Sequence, residues 1–235
     1  MAFGRALREL YVANGWTQRA WTWHEAADTR IFRPAITADR RRDVVWIGNW
    51  GDGERTSALH RFLISPILEE GLDACIYGVR YPESALRQLQ EAGIRYEGWV
   101  PNFAVPKVFE HFKVTIHIPR SYYVGELPGI PTIRVFEALA CGIPLVCAPW
   151  DDAEGLFQAG SDFLVAHDTE DMKRKIRQII SDESVADDLR KRGLRTIQTR
   201  HTCAHRVDEL LAIYAELQDP TALDTQNDSY GISHA

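Results

Sequence analysis

A chain of 235 residues, 45% apolar and 26% charged, is long enough for one large domain or two small ones with a filled core. Its net charge of −6, with no basic run longer than Arg40-Arg41-Arg42, speaks against nucleic acid as a partner, and no apolar stretch approaches the ~18 residues of a membrane-spanning helix. Four cysteines without metal-ligand spacing (Cys75, Cys141, Cys147, Cys203) read as reduced thiols of a cytoplasmic protein.

Residues 1–8 lack the apolar core of a signal peptide. The pattern then predicts a short helix over 5–14, closed by Gly15, and a strand over 18–24. A strand over 43–48, carried by Val44, Val45 and Ile47, runs into Asn49-Trp-Gly51-Asp-Gly53. A helix follows over 54–70 and ends at Gly71. Further strands are predicted at 74–79, 95–98, 114–118, 144–148 and 162–166, with helices at 83–92, 105–111 and 132–141 and a short turn near 154–158. From Asp168 the pattern is helical over 169–180, 183–199 and 202–217; the polar tail 219–235 has no periodicity and is expected to be disordered. Strands separated by helices imply right-handed crossovers. The expected fold is α/β, a doubly wound parallel Rossmann-like sheet of about six strands with C-terminal helices.

The stretch Gly129-Ile-Pro-Thr-Ile-Arg-Val-Phe-Glu137-Ala-Leu-Ala-Cys-Gly-Ile-Pro144 is the most informative in the chain. Pro131 suits a first helical turn, Thr132 a cap, and Gly142 a stop. Residues 143–147 form a short apolar run between prolines, which reads as a buried parallel strand. Arg134 and Glu137 lie three apart and share a helix face. Two readings stand side by side. Free N–H groups and Arg134 suit a phosphate, and Glu137 suits a ribose diol; alternatively the helix is ordinary and carries an Arg–Glu surface pair.

These residues resemble the nucleotide-sugar signature of group 1 glycosyltransferases of the GT-B fold, an FEALACGxPLV-like helix and strand in the C-terminal domain. His24-Glu-Ala-Ala-Asp28-Thr-Arg-Ile-Phe32-Arg-Pro34 resembles the interdomain linker of that family, written nGvDtxxFxP. Tyr96-Glu-Gly98-Trp-Val-Pro-Asn102 resembles its GxVp turn beside the base, and Phe163-Leu-Val-Ala-His-Asp168 resembles the segment after the donor site. The likeness runs over roughly residues 20–218 and is nearest to the CgeB-like branch. It implies one half of a GT-B fold: residues 1–34 as a remnant of the N-terminal domain plus linker, 35–218 as the nucleotide-sugar domain, and 219–235 as a tail. Most of the acceptor-side domain would then be missing, and with it any catalytic base; no catalytic residue is assigned.

The donor set that the resemblance implies is Glu137 for the ribose, the helix start at Arg134, Thr132 and Ile133 for the diphosphate, and backbone near Val100 for the base edge. Family enzymes place an Arg and a Lys six apart on the diphosphate, where this chain has Asn49 and Arg55, in the loop of Gly51. Many members carry a second glutamate eight positions before the first. Here that position is Gly129, and Glu126 is the nearest upstream acid. Arg120, at a strand end, is a further candidate for phosphate or sugar. Trp99 and Tyr96 could stack on a base, although aromatic residues at a strand end are more often core. The spacing of Gly48, Gly51 and Gly53 misses the dinucleotide fingerprint, so a nicotinamide enzyme is disfavoured. Trp150-Asp151-Asp152 is read as a helix cap or a sugar-hydroxyl contact, and His24 as structural. His201 and His205, four apart, lack an acid to complete a zinc site. No cofactor and no metal are expected; the donor would be a UDP-, GDP- or TDP-linked sugar and the acceptor a glycan, lipid or protein. A non-catalytic nucleotide-sugar-binding module and a sugar-nucleotide epimerase of the same fold are the alternatives.

Overall fold

The computed structural model describes residues 1–36, 39–51 and 53–218. The expected disordered tail, 219–235, lies outside the described residues. The sheet has six strands: β1 (Arg42–Ile47), β2 (Ala74–Tyr77), β3 (Arg95–Gly98), β4 (Phe112–His117), β5 (Leu145–Cys147) and β6 (Leu164–Val165). All pair in parallel, in the order β3-β2-β1-β4-β5-β6. This is the doubly wound arrangement expected from the alternation of elements. The order reverses between β1 and β4, and ligands of such sheets bind outside the carboxyl ends of the strands at that point.

Helices cover both faces because strand side chains alternate. Val44 and Trp46 of β1 enter a core with Leu59, Leu63, Ile67, Leu89 and Ile176. Those residues come from α2 (Thr56–Leu59), the turn His60–Ile64, α3 (Ser65–Glu70), α4 (Glu83–Glu91) and α8 (Thr169–Ser181). Val45 and Ile47 face the opposite core, with Val105 and Phe109 of α5 (Val105–Phe109), Val135, Phe136 and Leu139 of α7 (Ile133–Ala140), and Ile197 of α9 (Glu183–Arg200). A single-turn α6 (Ser121–Val124), missed in the sequence, precedes α7.

The helix expected over 54–70 is one run of helical chain, but its middle turn, His60–Ile64, is widened to a π-helix just before Pro66. Pro66 has no N–H to donate and its ring crowds the preceding turn, so the wider turn accommodates it. Helix α7 ends as anticipated: Gly142 has φ +63, its N–H donates to Leu139 O, and the Ile143 N–H donates to Ala138 O. Its start differs. Pro131 lies outside the helix, one residue before the Thr132 N-cap position.

The strand expected over 18–24 is absent, leaving an isolated bridge between Ala2 and Thr22. That segment follows the C-terminal helix instead. Helix α1 (Arg5–Ala13) buries none of its residues. Trp21 Nε1 donates to Glu216 Oε2 (3.0 Å) and Trp23 Nε1 to Arg206 O (2.8 Å), both on α10 (Cys203–Gln218). Trp16, by contrast, is exposed. No helix among the described residues is long and apolar enough to cross a membrane.

Candidate functional site

At the reversal of strand order, Arg55 joins the loops that follow β1 and β4. Its Nη1 donates to Ile118 O at 3.0 Å and its Nη2 to Asn49 O. The Asn49 side chain accepts the Val79 N–H at 3.0 Å. The pair expected to face a diphosphate is therefore turned onto main-chain groups, and burial lowers the pKa of Arg55. Only its Nε lacks a hydrogen bond, 3.4 Å from Glu54 Oε1. Arg120 is placed differently: it lies half-buried at the same loop junction, its Nη1 on Glu54 Oε1 at 3.2 Å. Glu54 Oε2 accepts from the Ser121 N–H (3.1 Å) and hydroxyl (3.0 Å). A Cβ on Gly51 would stand 3.7 Å from Arg120 Nη1, so Gly51, Glu54 and Arg120 meet in one place.

Beside this junction lies the start of α7. Thr132 occupies its N-cap position, but the hydroxyl contacts His117 Nε2 at 3.0 Å and caps nothing, contrary to expectation. The His117 Nδ1 faces Cys147 Sγ at 3.1 Å, and burial pulls the pKa of this histidine down to about 3. With no side chain capping the helix, the first-turn N–H groups at Ile133 and Arg134 keep no side-chain partner. Such a helix start suits an anion.

Glu137 is 1% exposed, which corrects the surface-pair reading of Arg134 and Glu137. Its Oε1 accepts from Asn102 Nδ2 at 2.8 Å. Its Oε2 lies 2.5 Å from Arg134 Nη1, so the two side chains form a buried ion pair. Burial raises the pKa of Glu137 against the opposing pull of Arg134 and Asn102, and burial lowers that of Arg134. Near them Glu25, in the segment before Ala27, has its Oε2 buried without a hydrogen-bond partner; burial first, then the Glu137 charge, pushes its carboxyl up to about 7.

The turn after β3 separates its two aromatic residues. Tyr96 belongs to the core: its hydroxyl donates to Gly78 O (2.8 Å) and its ring lies 4.6 Å from that of Tyr81. Trp99 is 71% exposed, which corrects the preference for a core role, and Val100 packs half-buried against the second core. Glu126 is an exposed loop charge. Asp152 accepts the N–H groups of Leu156 (3.0 Å) and Phe157 (2.6 Å), the capping role, though on a turn. His24 pairs with Glu154 at 2.9 Å. His201 is buried between Leu156 O and Arg206, while His205 bonds Thr202, so the two imidazoles serve different partners. Among the described residues no group of three or more His, Cys, Asp or Glu is arranged to hold a metal.

The structure thus brings Glu137, Arg134, Thr132 and Ile133 together beside the turn of Trp99 and Val100, and puts Gly51 and Arg120 at the neighbouring loop junction. It adds Asn102, Glu25, Glu54 and His117. Asn102 and Glu25 stand inside the motif stretches already noted; Glu54 and His117 carry no sequence signal of their own.

Residues 55–212 match the family described as glycosyl transferase-like. No curated protein sequence matches the chain. Among solved structures, HepE of Anabaena in complex with UDP-glucose superposes with a TM-score of 0.72 at 12% identity, over 92% of this chain and 63% of that one. Sucrose-phosphate synthase from Thermosynechococcus elongatus gives 0.70 at 14% identity, over 92% and 57%. The C-terminal domain of the group 1 family glycosyl transferase LpcC from Francisella tularensis gives 0.58 at 14% identity, over 75% of this chain and 99% of that domain. The shared property is the fold, the Rossmann-like half of GT-B enzymes. The chain spans less than two thirds of the length of HepE and of the synthase.

Proposed function

Because the chain belongs to the glycosyl transferase-like family, we propose that it binds a nucleoside diphosphate sugar at the start of α7 and forms the donor half of a sugar-transfer site. The observation that carries this reading is the uncapped start of α7, whose first-turn N–H groups have no side-chain partner, beside the buried Arg134–Glu137 ion pair and the sealed Glu25 Oε2, which has no hydrogen-bond partner. Buried polar groups are almost always hydrogen-bonded, and a ligand rich in hydroxyls and phosphate oxygens supplies the missing partners.

In this reading Glu137 accepts the ribose hydroxyls, backbone near Val100 meets the base edge and Trp99 stacks on the base. The Ile133 and Arg134 N–H groups, with the Arg134 and Arg120 side chains, hold the diphosphate. Charge grows on the diphosphate as the sugar leaves, so fixed donors aimed there lower the barrier. Arg55 is a framework residue that sets the loop junction, and the diphosphate role falls to Arg120. The donor is UDP-linked, as in the HepE complex with UDP-glucose. A group 1 enzyme of the CgeB-like branch, cytoplasmic and acting on a glycan, lipid or protein acceptor, is the finer assignment. Any catalytic base belongs to an acceptor half outside residues 35–218.

The test is calorimetric titration with UDP, GDP, TDP and NAD. A nucleoside diphosphate should bind at least tenfold more tightly than NAD; tight NAD binding with no nucleoside diphosphate binding would end this reading.

A further inference from the structure

The linker segment before Ala27 is held more firmly than its lack of regular structure suggests. Trp23 Nε1 and the Glu25 carbonyl are both bonded to Arg206 of α10, through its carbonyl (2.8 Å) and its Nε (3.4 Å). Ala27 donates to His201 O (3.0 Å) and accepts from the Cys203 N–H (3.1 Å). His24 is tied to Glu154 on the other side. These contacts fix the backbone on both sides of Glu25, whose side chain is close enough to Glu137 and Tyr123 to feel their charge. Its Oε2 is sealed from solvent without a hydrogen-bond partner, whereas Glu137 Oε2 is paired with Arg134 Nη1 at 2.5 Å. A framework that places a second carboxyl beside a buried carboxylate is costly unless something lies between them.

We propose that Glu25 completes the nucleotide-sugar site, donating a hydrogen bond from its acid form to an oxygen of the bound donor beside Glu137. This rests on the donor-site reading above. An acid form is the one suited to an anionic ligand: it supplies a donor hydrogen, whereas a carboxylate would repel the diphosphate. Glu25 is already poised for this, since burial and the Glu137 charge hold its pKa up at about 7. The other charged or titratable groups around it are Glu137 on α7, itself paired with Arg134, Tyr123 on α6, Arg206 on α10 with His201 against it, and the His24–Glu154 pair.

Affinity for UDP-glucose should therefore fall as pH rises through the titration of Glu25, by roughly tenfold between about pH 6 and about pH 8. UDP-glucose is the probe because its diphosphate is esterified at both ends, whereas the terminal phosphate of UDP itself titrates near pH 6. Glu25→Gln keeps a hydrogen-bond donor at every pH, so its affinity should vary less than about twofold across that range and exceed that of the parent chain at the alkaline end. His24→Gln, which removes the neighbouring imidazole, should retain the tenfold dependence. A flat profile in the parent chain, or a dependence that survives Glu25→Gln and vanishes with His24→Gln, would overturn the proposal. Failure of the donor-site reading looks different: UDP-glucose and UDP would then show no binding at any pH.

Discussion

His117 at the end of β4 and Thr132 at the N-cap position of α7 are joined by a 3.0 Å contact between Nε2 and Oγ1. The contact takes the Thr132 hydroxyl away from the helix it would otherwise cap and leaves the first-turn N–H groups open. It also ties the start of α7 to the strand at the switch point of the sheet, so the helix that carries Arg134 and Glu137 is positioned from below by a buried, uncharged imidazole.

That imidazole makes stability pH-dependent with a definite sign. Its folded pKa, about 3, lies below the unfolded value near 6.5, so the stability it carries is complete above about pH 6.5 and is lost as pH falls toward 3. Between pH 7 and 5 the loss from one such proton is about 2 kcal/mol. Chemical denaturation of the parent chain and of His117→Gln at both pH values measures it. The stability gap between the two should shrink by about that amount on acidification; a gap that stays constant would show that His117 titrates as it does in the unfolded chain.

Glu137 separates ligand binding from folding less cleanly than a surface residue would. Removing one partner of a buried ion pair costs about 3–5 kcal/mol, so Glu137→Ala should lower stability, and the double variant Glu137→Ala with Arg134→Met should recover most of the loss. Glu137→Gln is the better probe of binding. Losing charge-assisted hydrogen bonds to the ribose costs about 1.5–3 kcal/mol, about 10- to 150-fold in UDP-glucose affinity. Unchanged affinity would take Glu137 out of the site.

Trp99 and Tyr96 should give opposite phenotypes. Trp99→Ala removes an exposed ring, leaving the denaturation midpoint unchanged while weakening nucleotide binding by about 1–3 kcal/mol if the ring stacks on the base. Tyr96→Phe removes the hydrogen bond to Gly78 O and should cost about 1 kcal/mol of stability with binding retained. Calorimetry and denaturation on both variants decide the matter; equal effects on binding would place both rings in one role.

Gly78 marks the closest approach between the loops after β1 and β2. With φ +154, a Cβ there would lie 1.9 Å from Gly48 O, a backbone atom that has little room to move. Gly78→Ala should therefore destabilise by at least about 2 kcal/mol, combining strain with overpacking. A denaturation midpoint equal to that of the parent would mean that the β1 loop yields freely.

Alternation of apolar runs with amphipathic helices was enough to read the parallel sheet, because each strand of such a sheet is buried on both faces and each crossover needs a helix. The helix of Arg134 and Glu137 was legible for the same local reason, from Gly142 at its end and the apolar strand that follows. What lies between elements was not. Arg55 and Asn49 stand at the expected spacing, yet their side chains bond main-chain groups of neighbouring loops, a choice made by loops far apart in sequence. Glu137 is buried beside Asn102 from the β3 turn, which bonds its Oε1, and near enough to Glu25 to raise that carboxyl, bringing together residues 35 and 112 positions away along the chain. Sequence periodicity reports which side of an element is apolar. Which polar side chain loses its water, and beside which other charge, depends on distances between elements, and only the tertiary structure decides it.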